Sequence, residues 1–195
     1  MHADPSLQPR NNPPIPLGNI CVVAFTRGDG NFHWTIAVTQ RHWSKEFHAT
    51  NRADDNLGWI YKPWAFEVRD SELQRSLHAA VIVTIGAGVF SIVSLNYADV
   101  SPLSGRLGNN TTESLEALLQ DIPMKVVDPG EARTQEFNAK MWVRQAIRVL
   151  HGAGVINCPD VLALEEEILE YANENDIATG LGAPFKLHTA SNVID

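Results

Sequence analysis

The sequence predicts an α+β fold in which an antiparallel sheet packs against helices. Short apolar runs separated by turn residues fill the first half of the chain, as strands and hairpins do. Apolar residues at helical spacing follow in the second half. The composition, 44% apolar and 19% charged, is typical of a globular protein. At 195 residues the chain is long enough to form one domain with its own core.

Five strands are predicted in the first half, and the second of them carries the most chemistry. Residues 28–31 (Gly-Asp-Gly-Asn) predict a hairpin turn between the first two strands. Alternation along the second strand places His33 and Trp34 on opposite faces. Helix is the alternative for the last strand, because a short apolar run does not fix the period. The predicted strands cover residues 20–25, 32–39, 46–50, 59–68 with an edge or break at Pro63, and 79–85.

Three helices and two less regular ends complete the predicted organisation. The first helix covers residues 113–121 and is capped by Asn110. The second starts near Phe137 and ends at Gly152, and the third begins after Asp160. Residues 90–97 and the stretch after them are predicted to be an insertion or a long loop. The predicted domains are a proline-rich flexible arm (1–18), a single catalytic-type domain (19–178) and an irregular tail (179–195).

Charge and cysteine usage exclude several classes of function. A net charge of -8 argues against nucleic-acid binding and against charge-driven docking on anionic membranes. Two cysteines provide no disulfide framework. The longest apolar stretch, residues 79–93, is too short and interrupted to span a bilayer. The histidines show no metal-ligand spacing. We therefore expect a cytoplasmic protein without a stable membrane anchor, a metal or a cofactor.

Two histidines and one helix start form the candidate site. If residues 46–50 pair with residues 32–39, His48 shares a face with His33, and a second polar group can orient a catalytic imidazole. Asn138 and Ala139 lie at the first turn of the second helix, where an anion is stabilised. Alternatives remain open at each position. His33 fits a half-buried residue in an aromatic-lined sheet, and Asn138 fits a simple helix cap.

These residues resemble motifs of the circularly permuted papain-like proteins, of which the lecithin:retinol acyltransferase-like enzymes are the best known. In that family a His-Trp-Ala strand comes first, a second histidine lies on the next strand, and Asn-Cys precedes a helix. The corresponding segments of this chain are His33-Trp34-Thr35-Ile36, Phe47-His48 and Asn138-Ala139.

A closer resemblance links the chain to an uncharacterised fungal family, over residues 31–155. That family has a Tyr/Phe-His-Trp-Ala strand, a Trp-x-Phe-Glu-x-Arg strand and a helix starting Cys-x-x-Trp-Val. This chain carries the second motif at residues 64–69 and the third at residues 139–143, with Ala139 in place of the cysteine. Each motif is weak singly, and three in the same order are moderately specific.

The resemblance implies a permuted papain-like fold and a thiol mechanism. By position, His33 would be the general base, His48 its orienting group and residue 139 the nucleophile. The substrate cleft would include Trp34, Trp64, Asn138 and Trp142. Because a methyl group cannot attack a carbonyl, Ala139 is either an engineered Cys→Ala change or the mark of a natural pseudoenzyme. We favour the engineered change, since His33, His48 and Asn138 are all retained.

Three functions are therefore expected in order. The first is a cysteine-dependent hydrolase or acyl transferase acting on a small acyl, ester or amide substrate, inactive as printed. The second is a pseudoenzyme or ligand-binding protein that uses the same cleft. The third is an isomerase or cyclase that works by acid–base chemistry through His33 and His48. A small molecule or a peptide fits as the bound partner, and the sequence leaves the oligomeric state undetermined.

Overall fold

A computed structural model describes residues 10–41, 43–55, 58–86, 111–127, 129–133 and 135–193. Its strands are β1 (Ile20–Thr26), β2 (Phe32–Thr39), β3 (Ser44–Asp55), β4 (Gly58–Ser71), β5 (Ala79–Gly86) and β6 (Lys186–Thr189). Its α-helices are α1 (Thr112–Leu119), α2 (Ala139–Gly152) and α3 (Val161–Gly180). Two short 3-10 turns lie at Leu73–Arg75 and Glu131–Arg133.

The strands form one six-stranded sheet in the order β4-β3-β2-β1-β5-β6. Every neighbouring pair is antiparallel except β5 and β6, which run parallel. The predicted α+β class with a largely antiparallel sheet is therefore confirmed. The apolar run at residues 79–85 is a strand and not a helix, because it pairs with β1 on one side and β6 on the other.

The two faces of the sheet support two separate apolar clusters. On the first face, Phe32, Trp34 and Ile36 of β2 pack in a large core that includes residues of all three helices. On the second face, Ala37 of β2 belongs to a smaller cluster with Leu73 and Phe185. Below we call these the helix-covered face and the second face.

Several element boundaries differ from the predictions for identifiable reasons. The strand predicted over residues 59–68 is one continuous strand that includes Pro63, and it tolerates the proline because β4 is at the sheet edge. Thr111, not Asn110, caps α1, because its hydroxyl and that of Ser114 form a reciprocal capping box. Asn110 and the predicted loop at residues 90–97 lie outside the described residues.

The described parts of the predicted arm and tail, residues 10–18 and 179–193, contact other parts of the chain. The Arg10 side chain donates hydrogen bonds to the carbonyls of Thr179 and Ala183 at the end of α3. In the tail, β6 pairs with β5, although its sequence Lys-Leu-His-Thr is too short to predict a strand. These residues form a strand because they pair with β5, whose edge would otherwise expose unpaired backbone N–H and C=O groups.

A buried ion-pair network joins α2 to α3. The Arg144 guanidinium donates to both carboxylate oxygens of Glu165, over 2.6 and 2.9 Å, and Lys140 Nζ lies 3.0 Å from the same carboxylate. Burial opposes ionisation of Glu165, but hydrogen bonds from Arg144 and Lys140 lower its pKa on balance. Two cations of α2 thus contact one carboxylate of α3.

Candidate functional site

His33 and His48 are brought together on the second face, as the strand alternation predicts. Nε2 of His33 lies 2.8 Å from Nδ1 of His48, a hydrogen bond whose donor depends on the tautomers. The two rings meet edge to face, with centroids 5.0 Å apart. His33 is half-buried, and His48 is buried. The pair therefore has the geometry of an imidazole held by a second imidazole.

The surroundings of His48 keep it uncharged at neutral pH. Burial, together with a smaller repulsion from Arg69, lowers the pKa of His48 to about 4. Its other ring nitrogen, Nε2, is buried and makes no hydrogen bond to the described residues. A carboxylate oxygen of Glu67, on the neighbouring strand, is 3.6 Å from Nε2. An Nε2–H tautomer is favoured, since it points the proton toward that anion.

Further polar groups extend this patch along the second face. The Thr35 hydroxyl is buried and has no hydrogen-bond partner among the described residues. Glu46 lies on the same face in the neighbouring strand β3, where it pairs with Ala37 of β2. Its buried carboxylate accepts hydrogen bonds from Arg69 and Ser71. A buried hydroxyl without a partner costs free energy, so Thr35 is expected to destabilise the fold, whereas the carboxylate of Glu46 is compensated by its hydrogen bonds.

Ala139 does not meet the histidines. It packs on the helix-covered face with Phe32 and Trp34, the two residues that flank His33 in β2. The His33 ring instead faces Phe25, which packs against the cluster of the second face. The structure therefore does not bring His33 and residue 139 together, as the resemblance implied it would. The physical reason is the two-residue period of β2, which separates neighbouring side chains across the sheet.

Ala139 instead lies in a cleft at the N-terminus of α2. The cleft has a volume of about 460 Å³ and extends to the hairpin between β1 and β2. Asn138 caps α2, since its side-chain oxygen accepts from the Met141 N–H over 3.0 Å. The described lining residues are Arg27, Asp29, Gly30, Asn31, Phe32, Trp34, Asn51, Trp64, Asn138, Ala139, Lys140, Leu169 and Asn173.

Three of the four residues predicted to bind substrate line this cleft, and the fourth does not. Trp34 and Trp64 form an aromatic wall, and Asn138 lies at the helix start. Trp142 is fully buried one turn further along α2, where its ring packs on Phe66 at 5.8 Å. It is a core residue, because the α2 face that carries it packs against the sheet.

The cleft also contains residues that were not predicted to bind substrate. Asn51 comes from β3, Asn173 from α3, and Asp29 from the hairpin turn. The backbone N–H of Asn31 donates to the Asp29 carboxylate and lowers its pKa. Only the glycine-rich turn could have indicated this region in advance, since its two glycines adopt positive φ and fold the loop tightly.

The described part of the chain offers neither a metal cluster nor a membrane span. No three of its His, Cys, Asp and Glu side chains lie together as metal ligands would. None of its helices combines the length and apolar character needed to cross a bilayer.

Comparison with known proteins finds no match from which a function could be assigned to this cleft. No protein-family model matches the chain, and no curated protein or solved structure is similar to it. The permuted papain-like fold and the thiol chemistry therefore stay predictions.

Proposed function

We propose that this chain is a small-molecule binding protein that uses the cleft at the α2 N-terminus without turnover. The observation that carries the proposal is the cleft itself. Its volume of about 460 Å³ lies within the 300–1,000 Å³ that is common for ligand pockets. An aromatic wall of Trp34 and Trp64 stands beside polar groups from several elements. This combination of an apolar wall with a few placed polar groups is typical of small-ligand sites.

The polar lining favours a ligand with an acyl or amide group. The side-chain amides of Asn51, Asn138 and Asn173 lie on β3, at the start of α2 and on α3. An asparagine offers both a donor and an acceptor, so it pairs with a carbonyl or an amide N–H. Because three separate elements supply these groups, the tertiary structure holds them around one volume.

Binding without turnover is favoured over thiol chemistry by two observations. Residue 139 is alanine in this chain and cannot act as a nucleophile. The imidazole predicted to activate a thiol there lies across the sheet, on the second face. A nucleophilic thiol needs a base within hydrogen-bond reach, and the described lining of the cleft contains no histidine.

A titration with phenylacetamide, a neutral aromatic amide, tests the proposal. The indole N–H signals of the five tryptophans are assigned by single Trp→Phe variants and followed by NMR. We expect saturable shifts at Trp34 and Trp64 and none at Trp43, which lies outside the cleft. Asn173→Leu should weaken the binding at least fivefold, because it removes one amide partner. Equal shifts at all three signals, or none, would overturn the proposal.

A second candidate function is acid–base catalysis at His33, and one observation favours it. The 2.8 Å hydrogen bond to His48 fixes the orientation of the His33 ring. A general base is more effective when its tautomer and orientation are held by such a partner. His48 stays neutral, and with its proton on Nε2 its Nδ1 accepts a hydrogen bond from Nε2–H of His33.

Chemical modification tests the second candidate without a known substrate. Diethyl pyrocarbonate acylates neutral, accessible imidazoles, and peptide mass spectrometry locates the product. At pH 6.5 we expect His33 to react several times faster than the exposed His78. His48→Phe should remove that advantage, because the His33 ring loses its orienting bond. If His33 reacts no faster than His78 in the unmodified chain, the candidate is ruled out.

A further inference from the structure

We propose that the arm at residues 10–17 binds a partner protein whose groove is lined by aromatic side chains and recognises polyproline II helices. The binding surface is formed by Pro13, Pro14, Pro16 and Leu17, which we call the proline ridge. This inference is independent of the proposed function, because the ridge lies outside the cleft at the α2 N-terminus. It follows from the backbone of the arm, the contacts of its inner edge and the exposure of its outer edge.

The sequence restricts the arm to a polyproline II conformation. Three prolines follow Asn12, at positions 13, 14 and 16. The ring of a proline fixes φ at about −65°, and a residue that precedes a proline is pushed to extended or polyproline II angles. Together these two rules cover every residue from Asn12 to Pro16. Consistent with them, residues 10–16 belong to no helix or strand.

The burial of the arm repeats every third residue, as a polyproline II helix requires. Such a helix has about three residues per turn, so residues i and i+3 share one edge. The inner edge contains Asn12, which donates to the Gln74 carbonyl over 2.9 Å, and Ile15, which packs against the apolar cluster of the second face. The outer edge contains Pro14 and Leu17, and both are exposed. The arm is therefore held by one edge and presents another to solvent.

The proline ridge has a spacing that suits an aromatic groove. Two apolar dipeptides, Pro13-Pro14 and Pro16-Leu17, are separated by Ile15, whose side chain faces the domain. Segments with the PxxP spacing dock in aromatic-lined grooves, and they lose little conformational entropy because the helix is already formed. Proline lacks an N–H and cannot extend a sheet in its interior, so an added β-strand is a poor alternative partner.

An exposed tryptophan beside the arm enlarges this surface. Trp43 is 40% exposed and Leu17 is 44% exposed. Both line a small cavity of about 80 Å³ together with Ile15. Tryptophan is enriched in protein–protein interfaces relative to the rest of the surface. The partner therefore contacts Trp43 as well as the ridge, and the indole N–H of Trp43 reports the binding.

A panel of purified Src-homology-3 and WW domains tests the proposal on the full chain, since these domains bind PxxP segments. Each domain is titrated into isotope-labelled protein, and the indole N–H signals of Trp43, Trp34 and Trp64 are followed by NMR. We expect saturable shifts at Trp43 with at least one domain. Trp34 and Trp64 should not shift, because they line the cleft. If no domain of the panel shifts Trp43, the proposal is overturned and the binding function of the cleft is unaffected.

Three variants locate the surface that the domain binds. Pro14→Asp places a charge on the outer edge and should weaken the binding roughly tenfold, whereas Pro123→Asp, at an exposed proline outside the arm, should change it by about twofold or less. Asn12→Ala loosens the inner edge and should not strengthen the binding, because the ridge is already accessible. Unchanged Trp34 and Trp64 signals verify that each variant is folded.

Two results would show that the ridge is not the binding surface. The first is an equal effect of Pro14→Asp and Pro123→Asp, which would mean that the domain responds to added charge anywhere on the chain. The second is a several-fold gain in affinity with Asn12→Ala, which would mean that the domain competes for the inner edge.

Discussion

The two faces of the sheet are made by the same strands, and both carry an apolar cluster, but their polar groups are placed differently. On the helix-covered face, residues such as Trp34 and Phe47 pack with α2 and α3 in an apolar core, and a cleft opens where α2 begins. On the second face, the alternate residues include His33 and His48, held together beside a buried carboxylate. Polar groups line the cleft at the edge of one face, whereas on the other they are buried within the sheet.

This difference shows that neighbours in sequence need not share a site. His33 and Trp34 form a dipeptide that resembles a catalytic motif, yet the sheet separates their side chains. Trp34 contributes to the cleft, and His33 contributes to the histidine pair. A binding function and a proton-transfer function can therefore be tested independently in one protein, by substitutions only one residue apart.

Loss of packing on the helix-covered face should have the largest effect. Trp142 is fully buried beneath α2, so Trp142→Ala should lower the free energy of unfolding by about 3–5 kcal/mol. Urea denaturation measures the loss. Trp43→Ala is the control, because Trp43 is 40% exposed and should lose about 1 kcal/mol or less. Equal losses at the two positions would show that the helix-covered core is not as tightly packed as described.

Acid should destabilise the second face through His48. Its pKa is about 4 in the folded protein and about 6.5 when unfolded, so the unfolded chain binds more protons between these values. Stability is therefore present above pH 6.5 and is lost as the pH falls toward 4. Urea denaturation at pH 7 and 4.5 should show a loss about 2–3 kcal/mol larger in the unsubstituted chain than in His48→Gln.

The matched variant for this pH effect is His78→Gln. His78 is exposed, and its replacement should leave the pH dependence of the unsubstituted chain intact. Should His48→Gln lose as much stability on acidification as the unsubstituted chain, the buried neutral state of His48 would be refuted.

Replacing either of two threonines on the second face should change stability less, and the two changes should differ in sign. Thr35→Val removes a buried hydroxyl that has no partner, so stability should stay constant or rise by about 1 kcal/mol. Thr39→Val removes a hydroxyl that donates to the Pro16 carbonyl over 2.6 Å and accepts from the Asn19 N–H. It should cost about 1–3 kcal/mol. A loss at Thr35 equal to that at Thr39 would indicate that its hydroxyl is satisfied in solution.

The smallest expected effect concerns the separation of the two faces. In an Ala139→Cys variant, alkylation of the new thiol by limiting iodoacetamide at pH 6 should change less than twofold when His33→Ala is added. Intact mass follows the reaction, and background is low because burial raises the thiol pKa of both Cys21 and Cys158. A tenfold slower reaction without His33 would restore the thiol mechanism and contradict the separation.

The sequence predicted the alternation of β2 and the histidine pair, but it did not predict which face of the sheet carries Ala139. Alternation along residues 32–39 was enough to place His33 and Trp34 on opposite faces, and pairing of residues 46–50 correctly joined His48 to His33. The order of the motifs did not predict that Ala139 lies across the sheet from His33, because motif order does not state which face a helix will cover. Only the packed core shows that α2 lies on the Trp34 side.

Local chemistry in the sequence determined the α+β class, most of the strands and helices, and the cap at Asn138. These features depend on periodicity and on hydrogen bonds between residues a few positions apart. The tertiary structure alone decided the placement of β6, the burial of Trp142 and the meeting of Asn51, Asn138 and Asn173 around one cavity. These contacts join distant segments, and their energy depends on which surfaces are buried together, which a one-dimensional pattern does not contain.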